Sequence, residues 1–109
     1  MPANANNLVT VSQWNACYNS EENIISLSCK VTTVDSSATI EGVGLILNTS
    51  KGMTLASSYT EFAGSQTVIP ALNLPPNGLS AGDSVWGVVS GEVGGLHYFF
   101  EQKLTIGNC

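Results

Sequence analysis

Short segments in which apolar and polar residues alternate, separated by residues that favour turns, fill almost the whole chain of 109 residues. A period of two is typical of strands with one buried face, and no stretch of helical length shows an apolar period of 3.6. Only 53–62 contains residues that would also tolerate a helical turn. The predicted strands are 8–18, 24–34, 39–48, 53–60, 66–72, 83–93 and 96–106. Their spacing of about 8 to 12 residues, with Gly and Pro between them, predicts an all-β fold, a single antiparallel β-sandwich of about seven strands.

The last hairpin has the most closely specified register, because Gly94-Gly95 suits a two-residue turn that needs positive φ at both positions. This turn places Glu92 opposite His97 and Gly91 opposite Tyr98, where the glycine would leave room for the ring. The face predicted to enter the core comprises Val85, Val89, Val93, Leu96, Tyr98, Phe100 and Leu104. The opposite face comprises Trp86, Val88, Ser90, Glu92, His97, Phe99, Glu101 and Lys103. That second face is unusually aromatic for a solvent-facing surface.

A first hairpin is predicted from 8–18 and 24–34, with its turn centred near Asn23. This register sets Cys17 directly opposite Cys29, within reach of a disulfide that would contribute about 3 kcal/mol. The predicted bridge is therefore Cys17–Cys29. Two alternatives remain: both thiols are reduced and packed in the core, or the terminal Cys109 bridges to one of them.

The same register leaves Trp14 on the polar-facing side of the first hairpin, near Lys30 and Thr32. Trp86 likewise lies on the outward face of the last hairpin, with Lys103 opposite and Phe99 on the same surface. A one-residue bulge would instead turn either tryptophan into the core.

Seven strands in about 100 residues resemble the immunoglobulin-like and fibronectin-III-like sandwiches in architecture. The run Leu27-Ser28-Cys29-Lys30-Val31 resembles the second strand of an immunoglobulin domain. The hallmarks of that family are missing, since 39–48 contains no Trp and 83–93 contains no Cys. The resemblance therefore implies a two-sheet architecture by analogy, and it implies no function.

One domain over 8–109, preceded by a flexible leader over 1–7, is the expected organisation, because no linker divides the chain. The leader has neither the basic nor the apolar region of a signal peptide. No apolar run approaches the roughly 18 residues that would cross a bilayer, so no membrane insertion is expected. A disulfide would favour an extracellular or secreted location, and reduced thiols a cytoplasmic one. Asn48 begins a glycosylation sequon, Asn48-Thr49-Ser50, at a predicted turn.

The charge balance argues against partners that carry phosphate. The chain has three Lys, no Arg and eight acidic residues, a formal net charge of -5, whereas nucleic acids and anionic membranes select basic surfaces. The cysteine spacing and a single His do not form a metal motif, and no cofactor is expected. His97 beside Glu92 is typical of an exposed cross-strand pair, and no nucleophile elbow surrounds Ser90. No catalytic residue is therefore assigned.

These patterns predict a non-enzymatic binding module, secreted or surface-displayed, that recognises a protein or a glycan through an aromatic sheet face. Flat aromatic side chains on a sheet stack on sugars or anchor protein partners. The candidate ligand-binding residues are Trp86, Phe99, His97, Glu92 and Trp14. Two alternatives are an oligomer subunit, inhibitor or secreted effector that acts through protein contacts, with a homo-oligomer as one form, and a small hydrolase that uses His97.

Overall fold

The computed structural model describes residues 5–49, 54–60 and 65–109, with residues 55–60 described by their backbone alone. Within these ranges the chain contains β-strands and no helix. The strands are β1 (Val9–Asn19), β2 (Ile24–Thr33), β3 (Ile40–Thr49), β4 (Thr54–Thr60), β5 (Thr67–Val68), β6 (Ala71–Leu74), β7 (Ser84–Val93), β8 (Leu96–Thr105) and β9 (Gly107–Asn108).

Two sheets pack face to face, as the predicted sandwich requires. The first has the order β5-β2-β1-β9, with β6 also paired to β2, and the second has the order β4-β3-β7-β8. All strand pairs are antiparallel except β1 with β9. The all-β sandwich prediction is confirmed, and within the segment 53–62 that tolerated a helical turn the described residues form the strand β4.

The strand predicted at 66–72 is divided into β5 and β6 around Pro70. Proline has no backbone N–H to donate to a ladder, although the Pro70 carbonyl still accepts a 3.4 Å hydrogen bond from the Cys29 amide. Both short strands pair with β2 in one register, through Val68 with Val31 and Ala71 with Ser28. The two-residue strand β9 carries too little sequence pattern to be predicted.

The core lies between the sheets and follows the period of two. Alternate residues of β2, from Ile25 to Val31, are at most 1% exposed. Tyr98 is the largest fully buried side chain, and its hydroxyl donates a 3.3 Å hydrogen bond to the carbonyl of Gly42. A Cβ built on Gly91 would lie 2.7 Å from Tyr98 Cζ. Gly91 therefore leaves room for the tyrosine ring, as predicted from the hairpin register.

The first hairpin pairs in a register three residues away from the predicted one, so that Cys17 faces Ser26 instead of Cys29. The turn residues account for the shift. The Asn19 side chain accepts hydrogen bonds from the amides of Glu21 and Glu22, and Asn23 has a φ of 56°. Asx turns and left-handed asparagines are typical turn devices. They centre this turn before Asn23, whereas the prediction centred it on that residue.

A β-bulge in β1 reverses the predicted orientation of Trp14. The register shifts between Ser12 and Asn15, and Gln13 has a φ of 55°. A bulge inserts one residue and exchanges the faces of the residues beside it. Trp14 is partly buried against the core, and a Cβ built on Gly87 would lie 2.6 Å from its ring. The prediction that Trp14 lies on the polar-facing side is therefore wrong.

The N-terminal segment lies against the open edge of β8. Ala5 is fully buried, and its amide donates to the carbonyl of His97. The Asn6 side chain accepts a 2.9 Å hydrogen bond from the amide of Phe99. Residues 1–4 of the predicted leader lie outside the described ranges. In the described part of the chain, no helix has the length and apolar character needed to cross a membrane.

Candidate binding face on the second sheet

The outer face of β7 and β8 has the register that Gly94-Gly95 predicts. The two strands pair without a bulge over ten residues each, with Trp86 opposite Lys103 and Glu92 opposite His97. Both glycines have positive φ, 60° and 80°, as a primed two-residue turn requires. Four of the predicted ligand-binding residues therefore lie on one face: Trp86, Glu92, His97 and Phe99. Trp14 lies on the other side of the sheet and does not join them.

Phe99 is the more exposed of the two aromatic side chains, Phe99 and Trp86, on this face. It is 55% exposed although it occupies the interior of a regular strand. Its backbone is fixed on both sides, by the pairing with Ser90 on β7 and by the hydrogen bond from its amide to Asn6. An aromatic side chain on a rigid strand offers contact area to a ligand at low entropic cost. This position can present a flat ring to a ligand with little loss of conformational entropy.

Trp86 is half-buried at the other end of the same face. It lies between Asn48 on β3 and Lys103 on β8. Val88, the next outward residue of β7, is only 3% exposed, so the side chains around it already shield it from water. Glu101 on β8 and Ile46 on β3 lie directly opposite Val88, so the middle of the face carries one charged and one apolar side chain.

The two aromatic residues of the face are separated along the sheet. Phe99 pairs with Ser90, which follows Trp86 by four residues on β7. At about 3.4 Å per residue of antiparallel strand, the two positions are about 14 Å apart. Trp86 and Phe99 cannot sandwich one ring, but they can contact an extended ligand near its two ends.

Glu92 and His97 form the cross-strand pair predicted from the sequence. His97 Nε2 lies 3.4 Å from Glu92 Oε1, and the two side chains are 78% and 42% exposed. An exposed pair of this kind contributes at most about 1 kcal/mol to stability. Both side chains remain accessible as hydrogen-bonding groups beside Phe99. Across the described residues, no group of three or more His, Cys, Asp or Glu side chains could hold a metal ion.

The disulfide joins Cys17 to Cys109, with Sγ atoms 2.06 Å apart and Cα atoms 5.0 Å apart. The predicted Cys17–Cys29 bridge is wrong because the register shift puts Cys17 opposite Ser26, on the other face of the sheet from Cys29. The alternative in which Cys109 is the partner is confirmed. Strand β9 positions Cys109 by pairing with β1, and the Cys109 amide donates to the carbonyl of Tyr18.

Cys29 is a free thiol in the core, 1% exposed. Burial raises its pKa to about 12, because the apolar surroundings disfavour the thiolate. A thiol in this state packs as a small apolar group and does not act as a nucleophile. The disulfide, by contrast, indicates a non-reducing environment.

Asn48, the candidate glycosylation residue, lies near the end of β3 and not in a turn. Its Oδ1 accepts a 2.9 Å hydrogen bond from Thr54 Oγ1 across the β3–β4 pair. Ser50 of the sequon lies outside the described ranges. Glycosylation of Asn48 stays a prediction.

Sequence reasoning missed a cleft of about 380 Å³ at one end of the sandwich. The residues that line it include the acidic Asp35 and Glu41 and the apolar Leu8 and Val93. The Asp35 carboxylate accepts hydrogen bonds from the amide and hydroxyl of Ser37, at 2.9 and 2.8 Å, which hold its pKa below the ordinary value. Three separate loops or strand ends form the cleft, so no local pattern predicts it.

No protein-family model matches the chain, and comparison with curated proteins found no significant match. Solved structures with a similar fold exist at low sequence identity. A DUF3823 family protein from Bacteroides ovatus superposes with a TM-score of 0.59 and 16% identity over 92% of this chain. A β-glucuronidase from Ruminococcus gnavus in complex with D-glucuronic acid gives a TM-score of 0.57 and 14% identity over 90% of this chain.

This chain corresponds to only part of each of those proteins. It spans 55% of the DUF3823 family protein and 16% of the β-glucuronidase. At such identities the likeness concerns the fold alone, the β-sandwich.

Proposed function

We propose that this chain is a non-catalytic binding module, secreted or displayed on a cell surface, that recognises an extended ligand through the outer face of β7 and β8. The ligand is a glycan or a segment of another protein. The observation that carries the proposal is the ring of Phe99, which is 55% exposed on a backbone held from both sides.

The composition of the face supports this proposal. Phe99 and the half-buried Trp86 lie about 14 Å apart along the strands. Ser90, Glu92 and His97 supply hydrogen-bonding groups beside Phe99. Aromatic rings give contact area at low entropic cost, and a few polar groups fix the orientation of a ligand.

The structural comparisons make glycans the first ligand class to test. One protein with a similar fold is a β-glucuronidase bound to D-glucuronic acid, and this chain matches about one sixth of it. Because a shared fold does not transfer function, this likeness decides only which ligand class is tested first.

Secretion or surface display is proposed from the disulfide between Cys17 and Cys109. Structural disulfides persist in oxidising compartments and are rare where glutathione keeps thiols reduced. The low content of Lys and Arg, three residues in total, accords with a ligand that is not a polyanion.

The test measures binding of the protein to immobilised panels of glycans and of extracellular proteins, with Phe99→Ala as the diagnostic variant. We expect this variant to weaken binding at least tenfold, corresponding to about 1.4 kcal/mol or more, and Trp86→Ala to weaken it less. The matched control is Ile69→Ala, which removes a side chain that is 64% exposed beside the first sheet. Equal binding by the Phe99→Ala variant and the wild type would overturn the assignment of this face.

A further inference from the structure

Strand β8 forms an exposed edge of the second sheet, next to β7 on one side only. At the start of the strand this edge is covered, since the His97 carbonyl accepts from Ala5 and the Phe99 amide donates to Asn6. Backbone groups of alternate residues in an antiparallel ladder point the same way. The amides and carbonyls of Glu101 and Lys103 therefore point outward, away from β7.

This later part of the edge has no strand beside it in the described residues. Glu101, Gln102 and Lys103 are all exposed. The Lys103 carbonyl accepts a 3.4 Å hydrogen bond from the side chain of Gln102, which a competing backbone donor can displace. Open edges of this kind are templates for pairing with another strand, and charged side chains on them oppose pairing unless the facing strand carries the opposite charges.

We propose that the β8 edge pairs with the β8 edge of a second copy of this chain, antiparallel about a two-fold axis at Gln102. In this arrangement Glu101 of each copy lies opposite Lys103 of the other. The amides and carbonyls of these two residues then form four backbone hydrogen bonds between the copies. Such an interface is isologous, because the same patch of surface serves both copies.

Charge selects this register among those that the outward backbone groups allow. A two-fold axis at Glu101 would set two glutamates directly opposite each other, and an axis at Lys103 would set two lysines opposite. Directly opposed like charges destabilise a strand pair, whereas opposite charges contribute about 0.2 to 1 kcal/mol. Only the axis at Gln102 pairs both charges with their opposites.

The interface is small, because the contact between Asn6 and Phe99 limits the ladder at one end. Interfaces well below about 1,200 Å² are typical of weak, reversible association. We therefore expect a dissociation constant between about 10 µM and 1 mM. This constant should increase with salt concentration, because salt screens the charges.

Pairing also joins the second sheets of the two copies into one surface, with both Phe99 side chains on the same side. If the outer face binds a ligand, the pair is bivalent, and only this consequence rests on the proposed function. Self-association is measured without any ligand, so its failure and the failure of ligand binding are distinguishable.

The test is analytical ultracentrifugation over about 10 µM to 1 mM at low ionic strength, with two single charge reversals. Glu101→Lys and Lys103→Glu each set like charges across the axis, and we expect each to weaken association at least tenfold. An equimolar mixture of the two variants sets two lysines against two glutamates, so we expect it to restore the dimer. The double variant E101K/K103E restores both pairs within one sequence and should associate like the wild type.

The matched control is Glu22→Lys, which makes the same charge change at an exposed turn residue far from β8 along the chain. We expect it to leave association unchanged, and circular dichroism checks that every variant is folded. A wild type that stays monomeric at the highest concentration overturns the proposal. Single reversals that associate normally, or a mixture that stays monomeric, overturn it as well.

Discussion

The two long hairpins of this chain, β1–β2 and β7–β8, have similar lengths and patterns but differ in how their sequence fixes the pairing. The second hairpin closes through Gly94-Gly95 and pairs without interruption. The first closes through four residues, Ser20 to Asn23, and contains a bulge at Gln13. A two-residue turn permits one register, whereas a longer turn permits several. Turn length therefore decides how far a strand pattern can predict partners across a sheet.

That difference determines which cysteines and which tryptophan occupy the interior. In the first hairpin the register places Cys17 where it forms a disulfide with Cys109, and the bulge turns Trp14 toward the core. In the second hairpin the predicted register holds, and Trp86 stays on the outer face. The following variants test this contrast, in order of decreasing expected effect.

Removal of the disulfide should give the largest loss. Cys17 and Cys109 are 92 residues apart in sequence, and closing a loop of that size contributes about 4.5 kcal/mol in the chain-entropy description. We expect Cys17→Ser and Cys109→Ser to lower the free energy of unfolding by similar amounts in urea titrations. The double variant should lose little more than either alone.

Cys29→Ala is the matched control, with an expected loss of about 1–2 kcal/mol from a small cavity. In the native wild type, the Cys29 thiol should resist alkylation at pH 8, because burial raises its pKa to about 12. If Cys29→Ala caused the large loss of stability and Cys109→Ser did not, the disulfide would join Cys17 to Cys29 instead.

The two tryptophans should respond differently to truncation. Trp14→Ala empties space between the sheets above Gly87, and we expect a loss of about 3 kcal/mol. Trp86→Ala should cost about 1 kcal/mol, because water fills the space that the ring leaves on the outer face. Thermal or chemical unfolding measures both. Equal losses would contradict the assignment of the two rings to different environments.

Gly91→Ala tests the close packing of the second hairpin. A Cβ at Gly91 would clash first with the backbone carbonyl oxygen of Gly42 on β3 and then with the Tyr98 ring, whose hydroxyl that carbonyl holds, so neither group can move freely aside. We expect a loss of about 2 kcal/mol. Gly107→Ala is the matched control, since a Cβ at Gly107 would lie 3.9 Å from its nearest neighbour, the Ala16 carbonyl oxygen. The control should stay within about 0.5 kcal/mol of the wild type.

Gln13→Gly should give the smallest effect and the opposite sign. Gln13 has a φ of 55°, which costs a residue with a side chain about 1 kcal/mol relative to glycine. We expect the variant to gain up to about that amount in unfolding free energy. Gln102→Gly, in the extended β8, should lose about 1 kcal/mol instead. A loss in both variants would argue against the bulge conformation at Gln13.

Much of the fold follows from local sequence. The predicted segment at 83–93 corresponds to β7 and that at 96–106 to β8, and the face containing Val85, Val89 and Tyr98 is buried as the period of two requires.

Less of the candidate site could be predicted. Trp86 and Phe99 lie on the expected face, but their separation and the shielding of Val88 depend on the neighbouring strands. The cleft beside Asp35 combines residues that are distant in sequence.

The sequence by itself determined the longer strands, the two-sheet architecture and the pairing of β7 with β8. It could do so because alternation and a Gly-Gly turn act over a few residues. Tertiary structure alone decided that Cys17 bonds Cys109, that Cys29 stays a buried thiol and that Trp14 packs over Gly87. Each of these depends on a one- or three-residue shift in β1–β2 pairing or on a partner far along the chain. Such a shift leaves the local pattern unchanged but alters which side chains meet.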